Sequence, residues 1–318
     1  MSLTDYTAAS EWPWKLIRQA GRIRGGRVPP LHLQLYPTNR CNAACPWCSC
    51  AKVDRAAEMP TTEALAVLSA FRNWGAQAVT ISGGGEPTLH AGLRAMLLRA
   101  QSVGMRAALV TNGILWGAED ADLSVENETL SWVRVSVPNV PSLAAVERFE
   151  RICDRLPDVD VGLSYTVAGD VDMGIVRAFC EAAERHANCT HLRFVQELLD
   201  LPEAGIAQVE RRVGEWTDKA IVQRRGLGTL GCTPCLVSLL RPVVDPAGMV
   251  YPCCGVQYAG DPDTRTSLPR EFAMGHWREF NKFDPFDGSR CRRCYYGEYN
   301  AALAKLLYPA PAEHEAFV

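Results

Sequence analysis

The chain lacks any long hydrophobic run. No apolar stretch in its 318 residues approaches the length of about eighteen needed to cross a bilayer, so no membrane span is expected. It opens without the basic-then-apolar segment of a secretion signal, and the expected location is therefore the cytoplasm. Net charge is small: 33 Lys and Arg against 36 Asp and Glu leave −3, which gives no whole-chain reason to expect a polyanionic partner. Internal repeats and low-complexity tracts are absent, which excludes solenoids and long disordered segments. What remains is ordinary globular composition, 47% apolar and 22% charged, at a length that suits one large domain and a small one.

Cysteine is the residue in excess. Thirteen is a high count for a chain without a secretory signal, and an odd count argues against a disulfide framework. Bound metal clusters explain the excess better. Four cysteines lie between positions 41 and 50 and six between 232 and 294. Of the three outside these groups, Cys153 shares an apolar stripe with Val146, Phe149 and Leu156, and Cys180 shares one with Val176, as small buried hydrophobes do.

The first group contains Cys41, Cys45 and Cys48, with Trp47 just before the third. A cubane iron–sulfur cluster normally takes four thiolates, so three in one short loop would leave one iron open to a substrate or cofactor. Cys50 follows two residues later and reads as a bystander. Downstream, residues 79–82 read as a short buried strand running into Gly83-Gly84-Gly85-Glu86-Pro87-Thr88. Glycines there let the backbone turn and approach a ligand closely, and the carboxylate after them could receive an ammonium group. The three-cysteine loop and this glycine–glutamate run, one βα unit apart, resemble the two signature motifs of the radical S-adenosylmethionine (SAM) superfamily.

The pattern around these motifs is α/β. Strands are expected over residues 31–36, 78–82, 106–111, 132–137, 159–167 and 191–195, and helices over 61–74, 90–103, roughly 142–156 and roughly 171–187. Repeated βα units imply a parallel sheet with helices outside, and six are too few for a closed eight-stranded barrel. They match the partial (βα)6 barrel that the resemblance implies. The expected organisation is an N-terminal extension over 1–30, the partial barrel over 31–200, a helical linker over 201–230 and a cysteine-rich hairpin-plus-helix domain over 231–318. Lys15, Arg18, Arg22, Arg24 and Arg27 make the extension basic, and Trp12 and Trp14 are candidate anchors for it. Its bland reading is a solvated helix beside the barrel; its functional reading is a contact to nucleic acid, which is the less favoured partner.

In the second cysteine group, residues 236–244 read as a strand, Asp245-Pro246-Ala247-Gly248 as a turn and 249–252 as a returning strand. That hairpin carries Cys235 and Cys253 at its base, and a C-x2-C pair, Cys291 and Cys294, precedes a helix over 295–307. The arrangement is similar to the auxiliary-cluster extensions of the SPASM and twitch subfamilies, the one-cluster twitch form being the better fit. It implies Cys235, Cys253, Cys291 and Cys294 as ligands of a second [4Fe-4S] cluster, with Cys232 and Cys254 as alternates or as a redox pair or hydrogen donor. A structural zinc site is the competing reading.

The resemblance also implies an activity. SAM would chelate the open iron through its amino and carboxylate groups. Reductive cleavage would give methionine and a 5′-deoxyadenosyl radical that takes a hydrogen atom from a substrate. Gly84, Gly85, Glu86, Asn112 and Ser136 stand where the family contacts SAM, although Pro138-Asn139 replaces the Asp-Gly that often follows the fourth strand. Tyr165 and Arg193, on the fifth and sixth strands, are the candidate substrate groups. The reaction would be a dehydrogenation, epimerisation or bond formation on a small metabolite or peptide, with flavodoxin or ferredoxin as electron donor. A nucleotide or nucleic-acid modifier and a non-catalytic iron–sulfur or zinc protein are the alternatives.

Overall fold

The computed structural model describes residues 12–23, 28–137, 141–197, 202–225, 230–259 and 268–308. Residues 1–11, Arg24, Arg27 and the Pro138-Asn139 departure lie outside these, as does the side chain of Trp12.

A parallel sheet grows outward from the strand that delivers the first cysteine loop. The strands β1 (His32–Leu35), β2 (Ala78–Ile81), β3 (Arg106–Thr111), β4 (Leu130–Ser136), β5 (Asp160–Val167), β6 (Cys189–Gln196) and β7 (Ala220–Gln223) lie side by side in chain order, each pair parallel. Helices α2 (Thr61–Trp74), α3 (Leu93–Ser102), α4 (Ser124–Thr129), α5 (Leu143–Arg155), α6 (Met173–Arg185) and α7 (Glu203–Arg212) make the crossovers. The α/β partial barrel expected from the sequence is thus present. One correction concerns the stretch 201–230: it is not wholly helical, because after α7 it contributes β7 as a seventh parallel strand. Four residues of mixed polarity give too short a period to be told from linker.

Local chemistry sets the helix bounds. In α2, Ala64, Val67, Leu68 and Phe71 form the buried stripe, and Gly75 ends the helix at φ +122°, which only glycine adopts cheaply. Ser142 caps α5 through Ala145 N, and Asp172 caps α6 through Gly174 N and Ile175 N. The apolar faces of these helices and the outward side chains of the strands share one core, in which Cys153, Cys180 and Cys189 are all buried.

The C-terminal cysteine region joins the same sheet. Strand β8 (Val243–Val244) pairs in parallel with β1, β9 (Met249–Tyr251) returns antiparallel to β8, and β10 (Gly275–His276) pairs antiparallel with β9. Gly248 closes the turn at φ +76°. The expected strand over 236–244 is shorter than the sequence suggested: Val237–Leu240 is a helical turn, α8, and only Val243–Val244 is extended. Asn300 of helix α9 (Gly297–Leu307) explains this, its Oδ1 accepting from Leu236 N at 2.5 Å and Val237 N at 3.2 Å. A helix start gains the acceptor its free N–H groups need. At the N-terminus, α1 (Trp12–Ile23) packs against α9 with Leu16 and Ile23 buried. Trp14 is 60% exposed and does not anchor it.

Candidate active site

The C-terminal ends of β1, β2 and β3 bring the two sequence motifs together. Cys41, Cys45 and Cys48 occupy the loop after β1, all partly exposed. The glycine run after β2 lies directly on the residues leading into that loop: Gly85 N donates to Thr38 O at 3.2 Å and Glu86 N to Arg40 O at 2.7 Å. A Cβ on Gly85 would stand 2.1 Å from Arg40 O and 2.4 Å from the Asn39 carbonyl carbon, so glycine is required by the contact itself. Arg55 Nη1 adds a clamp, donating to Asn39 O at 3.2 Å and Gly84 O at 3.1 Å.

Glu86 has partners within the protein. Its carboxylate is buried; Oε1 accepts from Thr88 N at 3.1 Å, Thr88 Oγ1 at 2.8 Å and Thr111 Oγ1 at 2.6 Å, and Oε2 from Asn112 N at 2.6 Å. It ties the end of β2 to the end of β3. Asn112 continues the tie, its Nδ2 donating to Asn42 Oδ1 at 2.7 Å beside Cys41. Three strand ends and the cysteine loop therefore form one hydrogen-bonded unit. Ser136 closes β4 opposite Ser164 of β5, partly exposed at the same end of the sheet.

Cys50 is not a bystander. The hydrogen bond with its thiol, which outweighs the opposing effect of burial, helps bring the Cys48 thiol down to about 6, with its backbone N–H at 3.3 Å from Cys48 Sγ and the charge of Arg55 assisting. A thiol that loses its proton this readily is prepared for metal. The loop also reaches the C-terminal region, where Ser49 Oγ donates to Gln257 Oε1 at 2.5 Å. The donor set, three cysteines in one partly exposed loop, fits an iron–sulfur cluster held by three thiolates.

Strand parity sorts the remaining candidates. On β5, Tyr165 shares the outward face of Val161, Leu163 and Val167; its ring packs edge-on to Phe179 of α6 at 6.2 Å and against Phe194 of β6 at 5.6 Å. Burial pushes its hydroxyl up to about 12. Tyr165 is a core residue remote from the barrel interior, which corrects its expected role as a substrate group. Arg193 has the opposite parity and points inward, donating from Nε to Gln223 Oε1 at 2.7 Å.

Most of the second cysteine group lines one small pocket. Five thiols line it: Cys232, Cys235, Cys253, Cys291 and Cys294. Cys254, the sixth, does not; its Sγ lies 3.3 Å from Tyr296 Oη, and the Arg241 guanidinium sits 5.0 Å over the same tyrosine ring. Burial pushes Cys235 up to about 12 and Cys291 up to about 11, and it raises Cys253 well above the ordinary thiol range. The walls are braced: Asn300 Nδ2 donates to Pro234 O at 2.9 Å, Cys235 N to Phe286 O at 2.9 Å and Gly231 N to Cys291 O at 2.9 Å. Among the described residues, no three Cys, His, Asp or Glu side chains come together closely enough to hold a single metal ion. Cys232 pairs with Cys235 at the same C-x2-C spacing as Cys291 with Cys294, a signal legible in the sequence.

A parallel partial barrel with a three-cysteine loop locked to a glycine–glutamate turn defines the class. Among the comparisons, residues 35–158 match the model of the Radical SAM superfamily. The chain is 32% identical over 119 residues to the PqqA peptide cyclase of Xanthomonas euvesicatoria pv. vesicatoria (strain 85-10), a match covering 37% of this chain and 32% of that protein. It is 32% identical over 105 residues to the Fe-coproporphyrin III synthase of Methanosarcina barkeri (strain Fusaro / DSM 804), covering 32% of this chain and 26% of that protein. The chain thus spans about a third of the length of the curated relatives it matches. In fold, it is similar to Streptococcus suis SuiB bound to precursor peptide SuiA (TM-score 0.56, 13% identity, 79% of this chain and 65% of that one). It is equally similar to anSMEcpe with bound AdoMet and Kp18Cys peptide (TM-score 0.56, 16% identity, 80% and 81%). No helix among the described residues is long and apolar enough to cross a membrane.

Proposed function

We propose that the protein cleaves SAM reductively and removes a hydrogen atom from a peptide substrate, with a second iron–sulfur cluster in the C-terminal cavity. One observation carries the reading: the cysteine loop and the glycine–glutamate turn are fused by the Gly85–Arg40 approach and the Glu86–Asn112–Asn42 chain at the open end of the barrel. When bound, the cluster and SAM supply the radical chemistry; the protein supplies position and exclusion of water. Cys41, Cys45 and Cys48 would hold the first cluster. Gly84 and Gly85 would present backbone to SAM, Asn112 and Ser136 would line its path, and Glu86 would hold that backbone in place. Cys235, Cys253, Cys291 and Cys294 are the proposed ligands of the second cluster, with Cys232 on the same wall. Flavodoxin or ferredoxin would provide the electron, and the second cluster would accept one from the substrate in a net oxidation. A cytoplasmic setting suits such oxygen-sensitive centres.

The peptide assignment rests on three of the relatives: one is named for a peptide, and two solved structures hold a peptide. The test is iron, sulfide and zinc per chain on anaerobically reconstituted protein, followed by reductant-dependent 5′-deoxyadenosine formation. Cys45→Ala is expected to abolish cleavage, and Cys291→Ala to lower iron by one cluster per chain. Cleavage persisting in the first variant, or unchanged iron and sulfide in the second, overturns the corresponding assignment.

A further inference from the structure

The inward face of β4 to β6 carries two arginines and a third follows β7, while by parity its carboxylates are Asp160 at the start of β5 and Glu197 just after β6. Register places Arg134 of β4 level with Gly162 of β5 and His191 of β6, and Arg193 one layer nearer the open end, level with Ser136 and Ser164. Gly162 has no side chain there because a Cβ would meet the His191 ring at 2.2 Å. Arg225 follows β7 and completes the group, its guanidinium 5.7 Å from the centre of the Tyr258 ring. All three arginines are half-buried.

None of the three forms an ion pair among the described residues, and Arg134 Nε is buried without a hydrogen-bond partner. Burial, and then the charges of its neighbours Arg134 and Arg225, lower Arg193 to about 9; burial followed by Arg134 and Arg193 lowers His191 to about 4. Like charges gathered in a partly dry interior are unfavourable unless an anion completes them.

We propose that Arg134, Arg193 and Arg225 form a carboxylate-recognition site inside the barrel, and that the substrate presents an anionic carboxylate to it. Guanidinium forks bind carboxylates in two-point fashion, which fixes both position and orientation. A carboxylate held there would set which carbon of the substrate faces the SAM path at the ends of β1 to β4. The inference rests on the reading of the barrel as a substrate chamber.

The test is calorimetric and saturation-transfer titration of reconstituted, SAM-loaded protein with three peptides: acetyl-Gly-Glu-Gly-amide, acetyl-Gly-Gln-Gly-amide and acetyl-Gly-Gln-Gly with a free C-terminal carboxylate. At least one acidic peptide should bind tenfold or more tighter than the neutral one, and which of the two does so identifies the carboxylate as side-chain or terminal. Arg134→Gln and Arg193→Gln should each erase the preference. Equal binding of all three peptides by the wild-type protein overturns the proposal without reliance on any variant. Weakened SAM binding with an intact preference overturns it too, since the arginines would then serve SAM. Failure of SAM cleavage in the same sample, with the preference intact, sinks the radical reading and not this one.

Discussion

Replacing Gly85 with alanine tests the contact on which the site is built. The new methyl would lie 2.1 Å from Arg40 O, and ordinary contact begins at 3.4 Å, so the glycine turn and the cysteine loop must part by about 1.3 Å. Both neighbours are backbone, and no side chain can swing aside to absorb the change. The separation breaks or stretches the Gly85 N–Thr38 O and Glu86 N–Arg40 O hydrogen bonds, each contributing about 1 kcal/mol net. Overpacking adds about 1–3 kcal/mol, for a total loss of about 3–5 kcal/mol. Function should suffer more than folding, since a misplacement of about 1 Å between reacting groups can cost on the order of 100-fold in rate. The expected result is a protein that still takes up iron at Cys41, Cys45 and Cys48 yet forms 5′-deoxyadenosine about 100-fold more slowly. Gly21→Ala is the control: a methyl there meets nothing within 4 Å, and a helical alanine should gain up to about 1 kcal/mol. Wild-type cleavage rates and an unchanged thermal midpoint in the Gly85 variant would refute the reasoning.

Two further outcomes follow from hydrogen bonding and charge. Glu86→Gln presents an amide NH2 to groups that already donate to the carboxylate, so the apo protein should lose about 2 kcal/mol of stability before SAM is added; an unchanged denaturation midpoint would return Glu86 to a purely ligand-binding role. In apo protein, Cys48 at about 6 is mostly thiolate at neutral pH, whereas Cys235 at about 12 is not. Iodoacetamide labelling followed by mass spectrometry should therefore modify Cys48 readily at pH 7, losing rate only as pH falls through about 6, and Cys235 only in strong alkali; equal rates at pH 7 would contradict the assigned environments.

The parts of the molecule legible in the sequence are those governed by local period. The βα alternation, the cysteine loop and the glycine–glutamate turn depend on spacing within a few residues, and the structure places them together. The misread parts depend on distant partners. Val237–Leu240 is helical because Asn300, more than sixty residues on, accepts its first N–H groups. Tyr165 is different: Val161, Leu163 and Val167 share its parity, so its outward direction was available in the alternation. The arginine face needed the register of four strands, which no single segment carries.

The pairing of β8 with β1 has a bearing on solubility. Without it, β1 would be the open edge of a parallel sheet, four residues of unpaired backbone beside an apolar core, and such edges recruit other chains. The C-terminal hairpin covers that edge and hands the terminal position to β10, two residues long. Truncation after β7 would thus uncover a sticky seam next to the cysteine loop. The catalytic barrel and its cysteine-rich appendage are best understood as one folding and handling unit, to be expressed, reconstituted and mutated together.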